Sequence, residues 1–317
     1  MLPNILLFIT GLLVLVYSSG WLIQGSVKLS YLFRLTPLFI GAVIVAFGTS
    51  APEAGVGIMA ALRDQKAVAL GNIIGSNIAN IGLILGLCAL FRPLVIDKSV
   101  FKRENSIMIF SVVLFYILSR DLLISRVDGI ILLICFIIFC FISYRGAKKS
   151  FDSGALNNFK LKKQLQKTNS RFITLRIIFL SLCGVILGAD LMVRGGVSLA
   201  RTFGVSPWII GVTVFAIGTS LPELAASLTA CFKKIPSLSL GNVVGSNIFN
   251  ILFVLGVVSL IRPINIEPSM LNFELPALLI FTFILWTIIR LRYRITRWQG
   301  LFLLLGYIVF LTALLTN

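Results

Sequence analysis

The chain has 317 residues, 58% of them hydrophobic and 12% charged, with a mean hydropathy of +1.03. A soluble domain carries roughly twice that charged fraction, so a soluble fold is excluded. There is no histidine and no CxxC pair, which argues against the usual transition-metal sites.

Ten apolar runs of membrane-spanning length follow one another: 4–27, 36–61, 67–91, 104–120, 122–144, 172–201, 206–231, 238–261, 271–291 and 299–316. Runs of about 20 apolar residues fit helices that cross a bilayer. The first, with its small residues near Ser18 and Gly20, resembles a signal peptide in outline but lacks the basic flank such a peptide carries. It also has a counterpart deep in the chain, so it counts as a span. The five cysteines (88, 135, 140, 183 and 231) all fall in apolar runs. An odd number of scattered membrane cysteines reads as small hydrophobes, not as a disulfide frame.

The net charge of +17 is distributed by topology. Counting outward from the basic loop 145–171, taken as cytoplasmic, 21 of the 28 Lys and Arg share its side. They include Lys28, Arg34, Arg92, Arg103, Lys233, Lys234 and the arginines from 290 to 297. Six lie opposite, and Arg194 sits inside the sixth run. This is the positive-inside pattern: the basicity orients a membrane protein and does not signal nucleic acid. Both termini are expected on the external or periplasmic side of the cell membrane.

Sliding the chain along itself by 170 residues pairs "TPLFIGAVIVAFGTSAPE" with "SPWIIGVTVFAIGTSLPE" and "GNIIGSNIANIGLILGL" with "GNVVGSNIFNILFVLGV". Glu53 falls on Glu223, Asn80 on Asn250 and Arg92 on Arg262. The chain reads as two homologous halves, 1–144 and 172–317, joined by a basic linker at 145–171. Each half holds five spans, an odd number, so the halves insert in opposite directions. Inverted repeats point to a transporter with its site at mid-membrane. The expected fold class is an all-α polytopic membrane protein of ten transmembrane helices in two inverted five-helix repeats.

The duplicated motif sets a helix breaker beside a carboxylate. Ala46, Thr49, Ser50 and Glu53 share one helical face, as do Ala216, Thr219, Ser220 and Glu223. Pro52 and Pro222 offer no N–H and crowd the carbonyl four residues back, loosening the backbone around Gly48 and Gly218. A charge at bilayer depth costs at least ~2.5–3.5 kcal/mol on insertion scales, so both glutamates need a positive partner. Ser76 and Asn80, with Ser246 and Asn250, add further oxygens. An all-oxygen set suits hard cations such as Na⁺ and Ca²⁺, and the missing positive partner is then the cargo. Gly71, Gly75, Gly241 and Gly245 allow close helix approach, and Asn72, Asn77, Asn242 and Asn247 can satisfy backbone groups at the breaks. Asp190 has no acidic twin, since Gly20 occupies the matching position; its pairing with Arg194 reads as structural. Trp298 and Tyr293 read as interfacial anchors.

The blocks "GTSAPE…GNIIGSNIANI" and "GTSLPE…GNVVGSNIFNI" resemble the paired α-repeats of the sodium/calcium exchanger family, over essentially the whole chain. The resemblance implies ion binding by Thr49, Ser50, Glu53, Ser76, Asn80 and the Ala46 carbonyl, and by Thr219, Ser220, Glu223, Ser246, Asn250 and the Ala216 carbonyl. It implies Na⁺/Ca²⁺ exchange by alternating access, with the first helix of each half sliding across a fixed core. Asn250 stands where some members carry aspartate, leaving two carboxylates in the site. No catalytic residue and no cofactor is expected, and the partners expected are small inorganic cations and the lipid bilayer, without nucleic acid or an obligate protein partner. A Ca²⁺/H⁺ or other cation antiporter in the same fold is the nearest alternative, and a passive channel a more distant one.

Overall fold

The structure, a computed structural model, describes residues 2–95, 98–152, 171–202 and 218–316. The helices are α1 (Leu2–Leu32), α2 (Pro37–Thr49), α3 (Ala51–Leu62), α4 (Lys66–Phe91), α5 (Lys98–Leu118) and α6 (Arg126–Asp152) in the first half. The second half has α7 (Arg171–Thr202), α8 (Leu221–Phe232), α9 (Pro236–Ile261), α10 (Glu274–Arg292) and α11 (Arg297–Thr316). Among the described residues seven helical segments are long and apolar enough to cross a membrane, and the bent pair α2–α3 makes an eighth. Of the remaining two expected spans, the fourth lies in α5, whose first turns carry Lys98, Lys102, Arg103 and Glu104. The seventh is described only from Gly218 onward. Helix α6 runs on to Asp152, past the point where the linker was expected to begin.

Two features depart from straight helix. The second span bends by 46° between α2 and α3, at Ser50 with φ −83° and ψ 9°. Pro52 in the first turn of α3 withholds the N–H that would carry the helix through. Ser220 repeats this backbone, φ −86° and ψ 4°, just ahead of α8 and Pro222. Wider π-helical turns also interrupt α2 at Ile40–Val45, α4 at Asn80–Leu85 and α9 at Phe249–Val254. Such bulges shift the side-chain register and recur at functional sites.

The halves interlock. Helices α4 and α9 form the centre, burying Leu70, Ile73, Ile78 and Ile81 against Val243, Val244, Ile248 and Leu252. A Cβ on Gly129 of α6 would meet the Gly256 carbonyl of α9 at 2.8 Å, and one on Gly300 of α11 would meet the Gly86 carbonyl of α4 at 2.8 Å. The fifth span of each half therefore packs on the third span of the other. Helices α1 and α7 lie against each other at the edge. A Cβ on Gly188 would stand 2.5 Å from the Leu15 nitrogen, and one on Gly11 2.4 Å from the Met192 nitrogen. Large apolar side chains such as Leu6, Val16, Ile137, Phe172, Phe179 and Val309 face outward, the surface a bilayer covers.

Two short antiparallel ribbons, absent from the sequence reading, join loops of opposite halves. β1 (Leu94–Val95) pairs with β4 (Arg294–Ile295), and β2 (Leu123–Ile124) with β3 (Ile264–Asn265). Each ribbon joins loops that the charge count assigns to one side. Helices α6 and α11 then open on twin capping boxes. The Ser125 N–H reaches Asp128 Oδ2 at 2.8 Å, and the Thr296 N–H reaches Gln299 Oε1 at 2.9 Å.

Candidate ion-binding site

The bend at Ser50 and the matching backbone break at Ser220 face each other across the α4–α9 core, and the polar side chains around them interleave. The Ser50 hydroxyl lies 2.7 Å from Glu223 Oε1 and 2.9 Å from Ser246 Oγ, both in the opposite half. Thr49 donates to the Val45 carbonyl at 3.0 Å and lies 3.2 Å from Asn242 Oδ1. Thr219 lies 3.5 Å from Asn72 Oδ1. Ser76 donates to the Asn72 carbonyl at 2.7 Å and accepts from Asn250 Nδ2 at 3.1 Å. The Ala46 carbonyl accepts the Ser50 N–H at 2.9 Å. Ala216 lies outside the described residues. Ten of the eleven other residues singled out in the sequence thus share one hydrogen-bonded or directly adjoining cluster, and Ser220 caps the break beside Glu223.

Glu53 and Glu223 are both fully buried and close enough to feel each other's charge. Among the described residues neither forms an ion pair with Lys or Arg. Their place in the first turn of α3 and α8 adds some compensation, since a helix amino terminus favours negative charge.

The asparagines divide into two roles. Asn72 Nδ2 donates to the Glu53 carbonyl at 3.1 Å, and Asn242 Nδ2 to the Glu223 carbonyl at 3.3 Å. They tie each glutamate backbone to the following span, as the sequence suggested for groups at a break. Asn77 and Asn247 do something the sequence did not reveal. Each donates to the other's backbone carbonyl, at 3.4 and 3.2 Å. Asn247 Oδ1 also accepts Asn80 Nδ2 at 2.9 Å, and Asn77 Oδ1 accepts Asn250 Nδ2 at 3.2 Å. With their nitrogens held, Asn80 and Asn250 turn their carbonyl oxygens away from these partners. The signal available was the duplication of "GSN" at fixed distance from Asn80 and Asn250.

Among the described residues, five buried oxygens of this cluster have no hydrogen-bond partner: Glu53 Oε2, Glu223 Oε2, Asn80 Oδ1, Asn250 Oδ1 and Ser220 Oγ. A buried polar atom left unpaired costs about 1–3 kcal/mol, more when charged. A cation supplies what all five lack. Asn247→Ala removes the hold on Asn80 and on the Asn77 backbone; the expected result is about tenfold weaker Ca²⁺ binding, equivalent to one lost hydrogen bond. Isothermal titration on purified protein checks it, and unchanged affinity would mean the asparagine pair only packs.

The model of the sodium/calcium exchanger protein family matches residues 3–145 and 173–316. The chain belongs to the sodium/calcium exchanger family. The sodium/calcium exchanger MaX1 of Methanosarcina acetivorans is 30% identical over 343 residues, covering 98% of each chain. The inner membrane protein YrbG of Escherichia coli K12 is 34% identical over 314 residues, covering 97% of this exchanger and 95% of YrbG. Among solved structures, the sodium-calcium exchanger NCX_Mj soaked with 10 mM Na⁺ and no Ca²⁺ superposes with a TM-score of 0.85 at 33% identity, covering 98% of each chain. The exchanger is an all-α polytopic membrane protein of two inverted repeats, in a family of cation/Ca²⁺ antiporters.

Proposed function

We infer that this exchanger moves Ca²⁺ against Na⁺ across the cell membrane by alternating access, holding the ions between the two bends. One observation carries the reading: four fully buried acceptors in symmetric pairs, Glu53 with Glu223 and Asn80 with Asn250, each keep an oxygen without a donor. Oxygen-only coordination with flexible geometry is what Ca²⁺ and Na⁺ accept. Glu53, Glu223, Thr49, Ser50, Thr219, Ser220, Ser76, Ser246, Asn80 and Asn250 supply side-chain oxygens, and the family resemblance adds the backbone carbonyls of Ala46 and Ala216. Two carboxylates neutralise one Ca²⁺. Three Na⁺ in their place leave one positive charge, so exchange at three to one is electrogenic.

The membrane topology follows from charge. The 145–171 linker between the halves faces the cytoplasm, and both termini face outward, consistent with positive-inside placement. Helices α1 and α7 meet along glycines and serines and lie across the bends, which suits a pair that moves over a fixed core.

Proteoliposomes loaded with Na⁺ test this. Uptake of radiolabelled Ca²⁺ is expected to require the outward Na⁺ gradient, to build an inside-positive-dependent response to membrane potential, and to vanish in K⁺-loaded vesicles. Uptake driven by a pH jump alone would replace Na⁺ with H⁺ as the coupled ion. Uptake without any counter-gradient would make the protein a channel.

A further inference from the structure

Asp190 is the one acid in the centre of a span that the ion site does not use. It lines a groove of about 600 Å³ with Pro52, Cys183, Ala189, Thr219 and Pro222, so the groove reaches the two bends. Asp190 pairs with Arg194 at 2.9 Å, but both side chains are exposed, 46% and 70%. In the middle of a span a lone carboxylate is costly, so Asp190 needs a cationic partner in every state the protein visits.

The twin position of Asp190 is Gly20, and its surroundings differ. The Lys233 ammonium donates to the Gly20 carbonyl at 2.6 Å, and the adjacent Ser19 hydroxyl bonds Thr229 Oγ1 at 2.7 Å. These contacts pin α1 to the end of α8 on the basic-rich face. The twin of Lys233 is Arg63. Both residues cap a helix end, Arg63 after α3 with φ −91° and ψ 7°, Lys233 after α8 with φ −74° and ψ 5°. Both are followed by a left-handed residue, Asp64 at φ 59° and Lys234 at φ 65°. The local backbone that delivers Lys233 to Gly20 is therefore repeated at Arg63. Arg63 itself is exposed and forms no ion pair among the described residues.

Inverted repeats interconvert by exchanging conformations: a state open to the opposite face arises when each half takes the arrangement the other now has. Applied here, α7 docks on the end of α3 as α1 now docks on the end of α8. Asp190 then stands where Gly20 stands, and Arg63 where Lys233 stands. We propose that Asp190 exchanges Arg194 for Arg63 in the state open to the basic-rich face, and that this ion pair latches the basic-poor side shut. This rests on the alternating-access reading above. The chain has placed a carboxylate on one side of the pseudo-symmetry and only a carbonyl on the other, so the two closures differ in strength.

Native Cys183 reports the latch without engineering. It is exposed and lines the same groove. The experiment follows Cys183 labelling by a charged, membrane-impermeant thiol reagent in ion-free proteoliposomes, with Cys183→Ser as the blank. Asp190→Asn and Arg63→Gln are each expected to speed labelling by about fivefold, the shift a partly exposed ion pair supplies. The exchanged pair Asp190→Arg with Arg63→Asp is expected to return the rate to within about twofold of wild type. Equal rates in all four proteins, or a swap that labels as fast as the single variants, would overturn the latch. Na⁺-driven Ca²⁺ uptake by the wild type in the same vesicles tests the underlying reading separately. If that uptake fails while the labelling pattern holds, the latch stands and the cargo assignment falls.

Discussion

Glu53→Gln and Glu223→Gln are each expected to reduce Na⁺-driven Ca²⁺ uptake at least about 100-fold, and neither is expected to lower the melting temperature of the ion-free protein. The amide keeps the shape of the side chain and removes its charge. Removing one partner from a buried charge pair costs about 3–5 kcal/mol, and every 1.4 kcal/mol is about tenfold in affinity. In the ion-free state the sign reverses. Two carboxylates buried near one another, with no Lys or Arg partner among the described residues, are a burden on the fold, and a neutral amide relieves it. The stabilisation that Ca²⁺ gives the wild type, RT ln(1 + [L]/Kd), should disappear in both variants. Thermal scans with and without Ca²⁺, beside uptake, read all three quantities. A variant that still transports, or that unfolds without ions, would show that the glutamates brace the structure instead of holding cargo.

Gly245→Val is expected to lower the melting temperature by at least about 5 °C and to weaken Ca²⁺ binding at the same time. A Cβ at Gly245 would sit 2.1 Å from the Ala42 carbonyl oxygen and 2.4 Å from the Ala42 Cα. Those are backbone atoms of α2 and no rotamer can move them aside, so α2 and α9 must separate. Overpacking of this kind costs about 1–3 kcal/mol or more; against immovable backbone the cost lies at the upper end, which at about 2–4 °C per kcal/mol gives the stated shift. The next residue, Ser246, bonds Ser50 across the same interface, so separation also spreads the ion cluster. Gly306→Ala is the control, since its nearest neighbours are Phe281 ring carbons at 3.5 and 3.6 Å. A Gly245→Val protein as stable as this control would mean that α2 and α9 do not need their close approach.

The repeat, eight of the ten spans and the polar cluster around Glu53 and Glu223 were legible because they are written twice at one offset. Chance does not keep Glu53, Ser76 and Asn80 in register with Glu223, Ser246 and Asn250. What stayed hidden depends on contacts between halves. Nothing local in "GSN" says that Asn77 and Asn247 bond each other and aim Asn80 and Asn250. The π-helical turns at Asn80–Leu85 and Phe249–Val254 leave no composition signal, because they arise from packing. The two-residue ribbons are too short for any alternation pattern to show. Asp190 was read as one half of a structural pair from its spacing to Arg194. That pair exists, but only the structure places it on a groove that leads to the bends.

The crossed packing of α6 on α9 and of α11 on α4 sets the order in which the molecule can be completed. Ribosomes deliver the first five spans before the partners of α4 and α6 exist. The small-residue faces at Gly86 and Gly129 must wait in lipid until α9 and α11 arrive. Neither half closes its own core: Gly86 is covered only by α11 and Gly129 only by α9.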